Sequence, residues 1–464
     1  MPRLFPLGEL HGMALLHVAA VAIGLLLYVA LTHSGRQRRA PAAAIGWVVS
    51  LVAFPYLALP VYLLLGTRKL AHPRDAAATT ALAAANEPWL QALSQGLGLP
   101  PARRCRRIAL HADGEASLQA LLALLDGATS RIDIEIFILR DDVVGRQVSA
   151  ALRRATARGV RVRALLDGVG TLSGHRASAN LLREAGAELR WFAPLRLRLR
   201  PQFGRGNLRN HRKLVLVDGT AMWTGGRNLA DEYFLDSATA AAWRDLSVVV
   251  EGGIVGDATA VFERDWASTS SGDDTTSPTE PASNDTGALA QLLPSGPDRR
   301  DDTAYALFLN AIHRADARVL LATPYFVPDA QLQIALLLAC RRGVDVQLLL
   351  PARSNHRMAD IARERSLREL VAAGACVHLL PGMLHAKAIV TDDALASCGS
   401  INLDGRSLFL NYELNLLFHD AAQITVLVHW FATQRAQATR YVARAPGWWR
   451  DVGEGLVRAV GFQL

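Results

Sequence analysis

The chain has 464 residues, a formal net charge of +8 at pH 7 and four cysteines. That length leaves room for two or three domains with full cores, and the positive balance points to an anionic partner, phospholipid or nucleic acid, without choosing between them. Cys105, Cys340, Cys376 and Cys398 are widely spaced with no C-x-x-C among them, which argues against a disulfide framework or a zinc site and leaves them as small buried hydrophobes.

Residues 1–70 read as a membrane hairpin. Residues 13–33 are apolar for about the ~20 residues a spanning helix needs, and before the closing His33 only His17 could carry charge near neutral pH. A second apolar segment, 42–65, ends at Gly66-Thr67-Arg68-Lys69, and a short basic turn from Ser34 to Pro41 joins the two. A signal peptide followed by one span is the alternative, but two adjacent spans fit an uncleaved hairpin better. The turn carries Arg36, Arg38 and Arg39 against Arg3, Arg68, Lys69 and Arg74 on the flanks, so the positive-inside count narrowly favours both ends, and the domains that follow, being cytoplasmic.

Residues 71–104 are Ala-rich and read as a linker; Arg103, Arg104, Arg106 and Arg107 form a basic cluster, either a solvated face or a contact for anionic headgroups. A first domain, 105–267, then alternates strand and helix. Ile132-Asp133-Ile134-Glu135-Ile136 alternates like a strand, 145–157 reads as a helix, 160–166 as a strand, 176–185 as a helix and 188–192 as a strand. This pattern predicts an α/β layer. It leads to Asn210-His211-Arg212-Lys213-Leu214-Val215-Leu216-Val217-Asp218.

Residues 268–302, rich in Ser, Thr, Asp, Pro and Gly, read as a flexible linker to a second domain, 303–464. That domain repeats the first. Arg158-Gly159-Val160 answers to Arg342-Gly343-Val344, Ala185-Gly186-Ala187 to Ala373-Gly374-Ala375, and the motif returns as Leu384-His385-Ala386-Lys387-Ala388-Ile389-Val390-Thr391-Asp392. The agreement continues downstream: Gly225 and Gly399 lie fourteen residues after their His, Asn228 and Asn402 seventeen after. Five matched positions in two copies exclude coincidence for practical purposes. The copies differ before the motif, where 25 residues separate Gly186 from His211 but 11 separate Gly374 from His385. The additional residues carry Arg196, Arg198, Arg200, Arg205 and Arg209 among Leu and Phe. They read either as a solvated loop or as a wall that grips lipid phosphate and acyl chains. Residues 420–442 read as a helix, and the tail from Pro446 through Trp448-Trp449-Arg450 suits either an interface or a cap on the core.

The chemistry of the repeated motif follows from its period. His-x-Lys places both side chains on one face of a strand. An imidazole can act as nucleophile or general acid near neutral pH, and an ammonium donates to phosphate. Two copies meeting at a pseudo-twofold make a complete site for a phosphodiester. One His attacks phosphorus, and the other protonates the leaving oxygen and later activates the acceptor. Lys213, Lys387, Asn228 and Asn402 would hold the non-bridging oxygens, so neither metal nor cofactor is expected.

The pair of H-x-K-x4-D motifs, with Gly399-Ser400-Ile401-Asn402-Leu403-Asp404-Gly405-Arg406-Ser407 downstream, resembles the phospholipase D superfamily. With Thr323-Pro324-Tyr325-Phe326-Val327-Pro328-Asp329, Trp243-Arg244-Asp245 and the hairpin, the chain is most similar to the bacterial cardiolipin synthases. The resemblance implies duplicated α/β domains about a pseudo-twofold behind a transmembrane hairpin, in a multi-pass protein of the bacterial inner membrane. It implies transfer of a phosphatidyl group from one phosphatidylglycerol to another, giving cardiolipin and glycerol, with His211 as the expected nucleophile. It also gives Asp245 and Glu413 the task of holding the second imidazole nitrogens, and leaves Asp218 and Asp392, motif residues with His211, Lys213, His385 and Lys387, as structural salt-bridge partners. Partners are then anionic phospholipids and the membrane, not nucleic acid. Hydrolytic phospholipase D is the alternative, since only the acceptor differs; a nuclease is disfavoured by the hairpin, and a non-catalytic lipid scaffold by the intact motifs.

Overall fold

The computed structural model describes residues 7–34, 41–66, 68–69, 89–171, 174–193, 207–269 and 286–460. The chain forms two compact units, one built mainly from residues 1–77 and the other from residue 78 onward.

In the N-terminal unit, helix Leu7–Ser34 contains the apolar stretch Ala14–Thr32, long enough to cross a bilayer. The second apolar segment is not one helix. Pro55 lacks an N–H and pushes Phe54 out of helical geometry (φ −137°, ψ 58°), so the segment divides into Pro41–Ala53 and Pro55–Leu65. Among the described residues, only Leu7–Ser34 has the length and composition of a span, which corrects the continuous 42–65 span expected from composition. The helices pack through Tyr28, Leu51, Ala58 and Tyr62, where the Tyr28 and Tyr62 rings lie 5.4 Å apart. Leu15, Leu26 and Leu57 point outward, as in a helix group solvated by something other than water.

The larger unit is organised by one sheet. Its first half supplies β1 (Arg103–His111), β2 (Arg131–Ile136), β3 (Arg161–Asp167), β4 (Glu188–Phe192), β5 (Leu214–Val217), β6 (Ala221–Gly225) and β7 (Ser247–Gly252). The second half supplies β8 (Leu289–Ser295), β9 (Arg318–Ala322), β10 (Phe326–Val327), β11 (Asp345–Pro351), β12 (Cys376–Leu380), β13 (Ala388–Thr391), β14 (Leu395–Gly399), β15 (Leu403–Asp404), β16 (Glu413–Phe418) and β17 (Thr439–Arg440). The spatial order is β1-β7-β6-β5-β2-β3-β4 in the first half and β8-β16-β14-β13-β9-β11-β12 in the second, with β17 on the far edge and β10 paired to β15 apart. The duplication inferred from sequence is thus a strand-for-strand repeat. The halves join where β1 meets β8, Arg103 opposite Ala290 and Arg104 opposite Leu289.

Each half has its own apolar core, one around Leu121, Ile134, Val148 and Trp223, the other around Leu307, Leu321, Leu336 and Ile389. Two domain boundaries shift. Leu289–Ser295, inside the expected 268–302 linker, is the first strand of the second half, because Leu292 and Leu293 bury there; residues 270–285 of that linker lie outside the described residues. In the expected 71–104 linker, helix Trp89–Gly96 sends Leu90, with Leu99, into the second core. Arg103, Arg106 and Arg107 of the basic cluster sit on β1 or beside it, paired with Asp257 and Glu251.

Candidate active site

Both motifs enter the sheet as central strands. β5 lies between β2 and β6, β13 between β9 and β14. The lysines stand just before each strand and the aspartates just after, so at about 3.3 Å per residue His211 and Asp218 are separated by roughly 20 Å. Only the His-x-Lys end faces the partner half.

Backbone bridges across the halves fix the geometry there. Asn210 pairs with Tyr412 and Leu384 with Arg244, both in parallel sense. The amide of His211 donates to Tyr412 O at 2.9 Å, and that of His385 to Arg244 O at 2.7 Å. Each bridge sets the next residues side by side: His211 beside Glu413 and His385 beside Asp245. The His211 Nδ1 lies 3.0 Å from both Glu413 carboxylate oxygens, and the His385 Nδ1 lies 2.6 Å from Asp245 Oδ2. Each imidazole is therefore oriented by the carboxylate of the other half. The matched glycines have the same cause. A Cβ on Gly225 would meet Leu246 O at 2.3 Å, and one on Gly399 would meet Leu414 O at 2.3 Å. Only glycine lets the motif hairpin approach the strand that carries the acid.

The carboxylates differ in support. Glu413 accepts from Ser407 Oγ at 2.7 Å, from Asn411 Nδ2 at 3.2 Å and from Ser400 Oγ. Asp245 Oδ1 accepts from the Leu246 amide at 2.7 Å. Lys213 Nζ donates to His211 O at 2.7 Å, while Lys387 Nζ donates to His385 O and lies 2.9 and 3.0 Å from the His385 ring nitrogens. Phe137 stands edge-on to His211 at 4.9 Å and Tyr233 to His385 at 5.0 Å.

Burial sets the charge states. It lowers His211 to about 4, against the pull of Glu413 and with Lys213 adding to the effect. It lowers His385 to about 3, with Lys387 reinforcing and Asp245 opposing. Lys213 falls to about 7 and Lys387 to about 8, again chiefly by burial. Burial works to raise Glu413 and Asp245, but His211 and His385 respectively, with the neighbouring lysines, outweigh it and hold both below the ordinary carboxylate value. The resting site is two neutral imidazoles on two carboxylates, with two easily deprotonated ammoniums beside them.

Other expected site residues are placed differently. Asp218 accepts from the amides of Thr129, Ser130 and Arg131 and from the hydroxyls of Thr129 and Ser130, all at 2.7 or 2.8 Å. Asp392 accepts from the amides of Asp316, Ala317 and Arg318 at 2.8 to 2.9 Å. Both sit at positive φ (53° and 52°) and pin the loop entering the neighbouring strand through amide hydrogen bonds rather than through an ion pair. Asn228 spends its Oδ1 on the Ile138 amide at 3.2 Å and its Nδ2 on Tyr233 OH at 2.9 Å. Asn402 instead keeps a buried Oδ1 with no hydrogen-bond partner, so the two asparagines are not equivalent. Arg209 is buried, with Nη1 3.5 Å from Asp167 Oδ1 and 3.1 Å from Ala193 O, which turns it inward. Arg196, Arg198, Arg200 and Arg205 lie outside the described residues. Among the described residues, no group of three or more His, Cys, Asp and Glu could hold a metal ion.

Sequence reasoning missed the polar layer behind the first motif. Arg212 pairs with Asp265 and donates from Nε to Glu413 O at 3.1 Å. The Asn210 amide donates to Asp167 Oδ2 at 2.9 Å and its side chain donates to Glu135. The available signal was Asn and Arg flanking His211 where the second copy has Leu384 and Ala386.

Two imidazoles on opposed buried carboxylates, each followed by a lysine and carried on one duplicated sheet, make a phosphodiester-transfer site of phospholipase D type. Residues 121–266 and 308–435 match the family described as cardiolipin synthase, PLD-like domain. Cardiolipin synthase A of Pseudomonas entomophila is 35% identical over 86% of this chain and 88% of its own, and that of Pseudomonas putida 35% identical over 88% and 90%. The phosphatidylserine synthase of Haemophilus influenzae shares the fold, with a TM-score of 0.60 at 14% identity over 81% of this chain and all of its own. The chain belongs to the cardiolipin synthase family of phospholipase D-like proteins.

Proposed function

We propose that the protein is a membrane-bound phosphatidyltransferase that joins two phosphatidylglycerol molecules into cardiolipin and glycerol. The observation that carries this reading is the crossed arrangement, His211 on Glu413 and His385 on Asp245, in a chain of this family. With Nδ1 of each ring engaged, Nε2 is the reactive nitrogen. His211 Nε2 attacks phosphorus; the N–P bond forms, the P–O bond to glycerol breaks, and His385 delivers the proton that the departing alkoxide needs. The hydroxyl of the second phosphatidylglycerol then gives its proton back to His385 and attacks phosphorus, and the N–P bond breaks. Burial, reinforced by Lys387, holds His385 neutral at rest; an anionic phosphodiester between the rings opposes both, so substrate binding itself favours the protonated acid. Lys213, Lys387 and Asn402 face the non-bridging oxygens in this reading, whereas Asn228 orders Tyr233 beside His385.

Assignment of the nucleophile to His211 rests on rigidity: Glu413 is held by three side chains besides the imidazole, and Arg212 ties its backbone to the motif strand. The bilayer reading rests on helix Leu7–Ser34, with the broken segment Pro41–Leu65 returning as the second arm of a hairpin and both ends cytoplasmic.

Purified enzyme given phosphatidylglycerol alone is expected to yield cardiolipin and glycerol, with phosphatidic acid minor and with turnover retained in excess chelator. Phosphatidic acid as the main product would make the enzyme a hydrolase. Turnover lost in chelator and restored by one added metal would end the charge argument.

A further inference from the structure

The C-terminal helix Trp448–Val460 has two unlike faces. Arg450, Glu454 and Val457, at helical spacing, lie against helix Arg357–Ala373: Arg368 reaches Glu454 at 2.6 Å, and Arg450 reaches Glu364 at 3.2 Å. Val457 packs with Tyr325, Val327, Ala359 and Ala362. Away from that stripe, Trp448 is 68% and Trp449 79% exposed, their rings 4.3 Å apart, and Val442 just before them is 70% exposed. These are the most exposed large hydrophobics described in the larger unit. Met358 and Ile361 of the supporting helix are exposed too, and Ile361 lines the same cleft as Arg450 and Gly453. The sequence left the tail as either an interface or a cap; one face of the helix caps helix Arg357–Ala373 and the other is exposed.

The location of this patch points to its occupant. Val457 packs against the cluster of Val327, Ala359 and Ala362; Val327 in turn pairs with Asp404, two residues past Asn402 at the site. The exposed tryptophans are thus carried on a helix whose supporting elements reach the strand pair beside Asn402. Indole rings settle at the level of lipid headgroups, where the ring is apolar and the N–H stays wet. The exposed Arg444 just before them complements anionic lipid. We propose that the Trp448–Trp449 face docks the catalytic unit onto the surface of an anionic bilayer and seats the mouth of the site at headgroup level. This deepens the function proposed above, on which it rests.

The test uses the full-length protein in vesicles of phosphatidylethanolamine with phosphatidylglycerol. In a background lacking Cys340 and Cys376, a fluorophore at W449C is expected to be quenched by brominated lipid, and one at R146C, on the first half, is not. The W448S/W449S variant is expected to lose roughly tenfold in rate at low phosphatidylglycerol mole fraction, in line with the loss of an interfacial anchor. It should match wild type on dispersed short-chain phosphatidylglycerol. Equal rates in vesicles, an unquenched fluorophore at position 449, or crosslinking of 449 to a second copy would each overturn the proposal, as would equal loss on both substrates. If wild type fails to convert phosphatidylglycerol at all while the fluorophore is quenched, docking stands and the reaction assigned above falls.

Discussion

The two halves carry the same His-Lys end on the same strands and surround it in opposite ways. Glu135 faces Leu214 across β2 and β5, and Ala322 faces Ala388 at the matching place in the second half. Asp167 answers to Pro351, Asn210 to Leu384 and Arg212 to Ala386. The first motif is therefore backed by buried charges and amides, the second by apolar groups. Burial of Glu135, with Asp265 close by, raises its carboxyl well above the ordinary value. Such a layer confers position at the cost of tolerance: complete, it holds the His211 strand and Glu413 in one register; with one member removed, another charge is stranded. An apolar backing tolerates change and specifies less. The asymmetry fits unequal tasks for two residues that the sequence writes identically.

The sharpest way to break this comparison is at the imidazoles. His211→Ala and His385→Ala are each expected to abolish turnover, with the double variant no worse than either, because residues that act as a unit are not additive; near wild-type kcat in either single variant would refute a shared site. Trapping with a radiolabelled phosphatidyl ester of p-nitrophenol, whose leaving group needs no proton, separates the roles: phosphoenzyme is expected in His385→Ala and absent in His211→Ala. Next comes the buried layer. Asp265→Ala leaves Arg212 uncompensated and should cost about 3–5 kcal/mol in denaturant unfolding, whereas Ala386→Ser at the matched position of the second half should cost no more than about 2 kcal/mol.

Stability against pH tests both halves together. The folded-state values of His211 and His385, about 4 and about 3, lie below the ordinary 6.5, so the unfolded chain binds more protons in acid. The imidazole contribution is full above about 6.5 and is lost between 6.5 and the folded values, by about 3 kcal/mol for His211 and about 5 kcal/mol for His385. Denaturation midpoints measured from pH 8 to 4 should show the fall, and His211→Gln should flatten it. The smallest effects belong to the motif aspartates. Asp218→Ala should lose about 2 kcal/mol and Asp392→Ala slightly less, following five accepted hydrogen bonds against three, with kcat within about threefold of wild type in both. A collapse of kcat without loss of stability would return these aspartates to the chemistry.

Much of this was legible in the chain. The five matched positions gave the duplication, and Gly225 and Gly399 proved to be matched for one steric reason. Other features were hidden for physical causes. The spacing of H-x-K-x4-D says nothing of which half supplies the acid, so the crossing of Glu413 and Asp245 had no local signal. Ile132-Asp133-Ile134-Glu135-Ile136 alternates like a half-exposed strand, yet Asp133 and Glu135 are both buried, Asp133 against Arg163 at 2.7 Å and Glu135 against Asn210. Partners distant in sequence paid the desolvation that alternation could not foresee. β8 was lost because its Pro294 and its polar flanks resemble linker composition. Pro55 was readable by rule, but the apolar run around it outweighed it.

The crossed carboxylates also set a schedule. His211 is translated two hundred residues ahead of Glu413, and Asp245 waits for His385. A nascent chain that has completed its first half holds an imidazole without its orienting acid and an acid without its imidazole. Lipid chemistry therefore begins only after residue 413 has emerged and the second half has closed onto the first. Docking of the second half onto the first, not the appearance of a motif, completes this site.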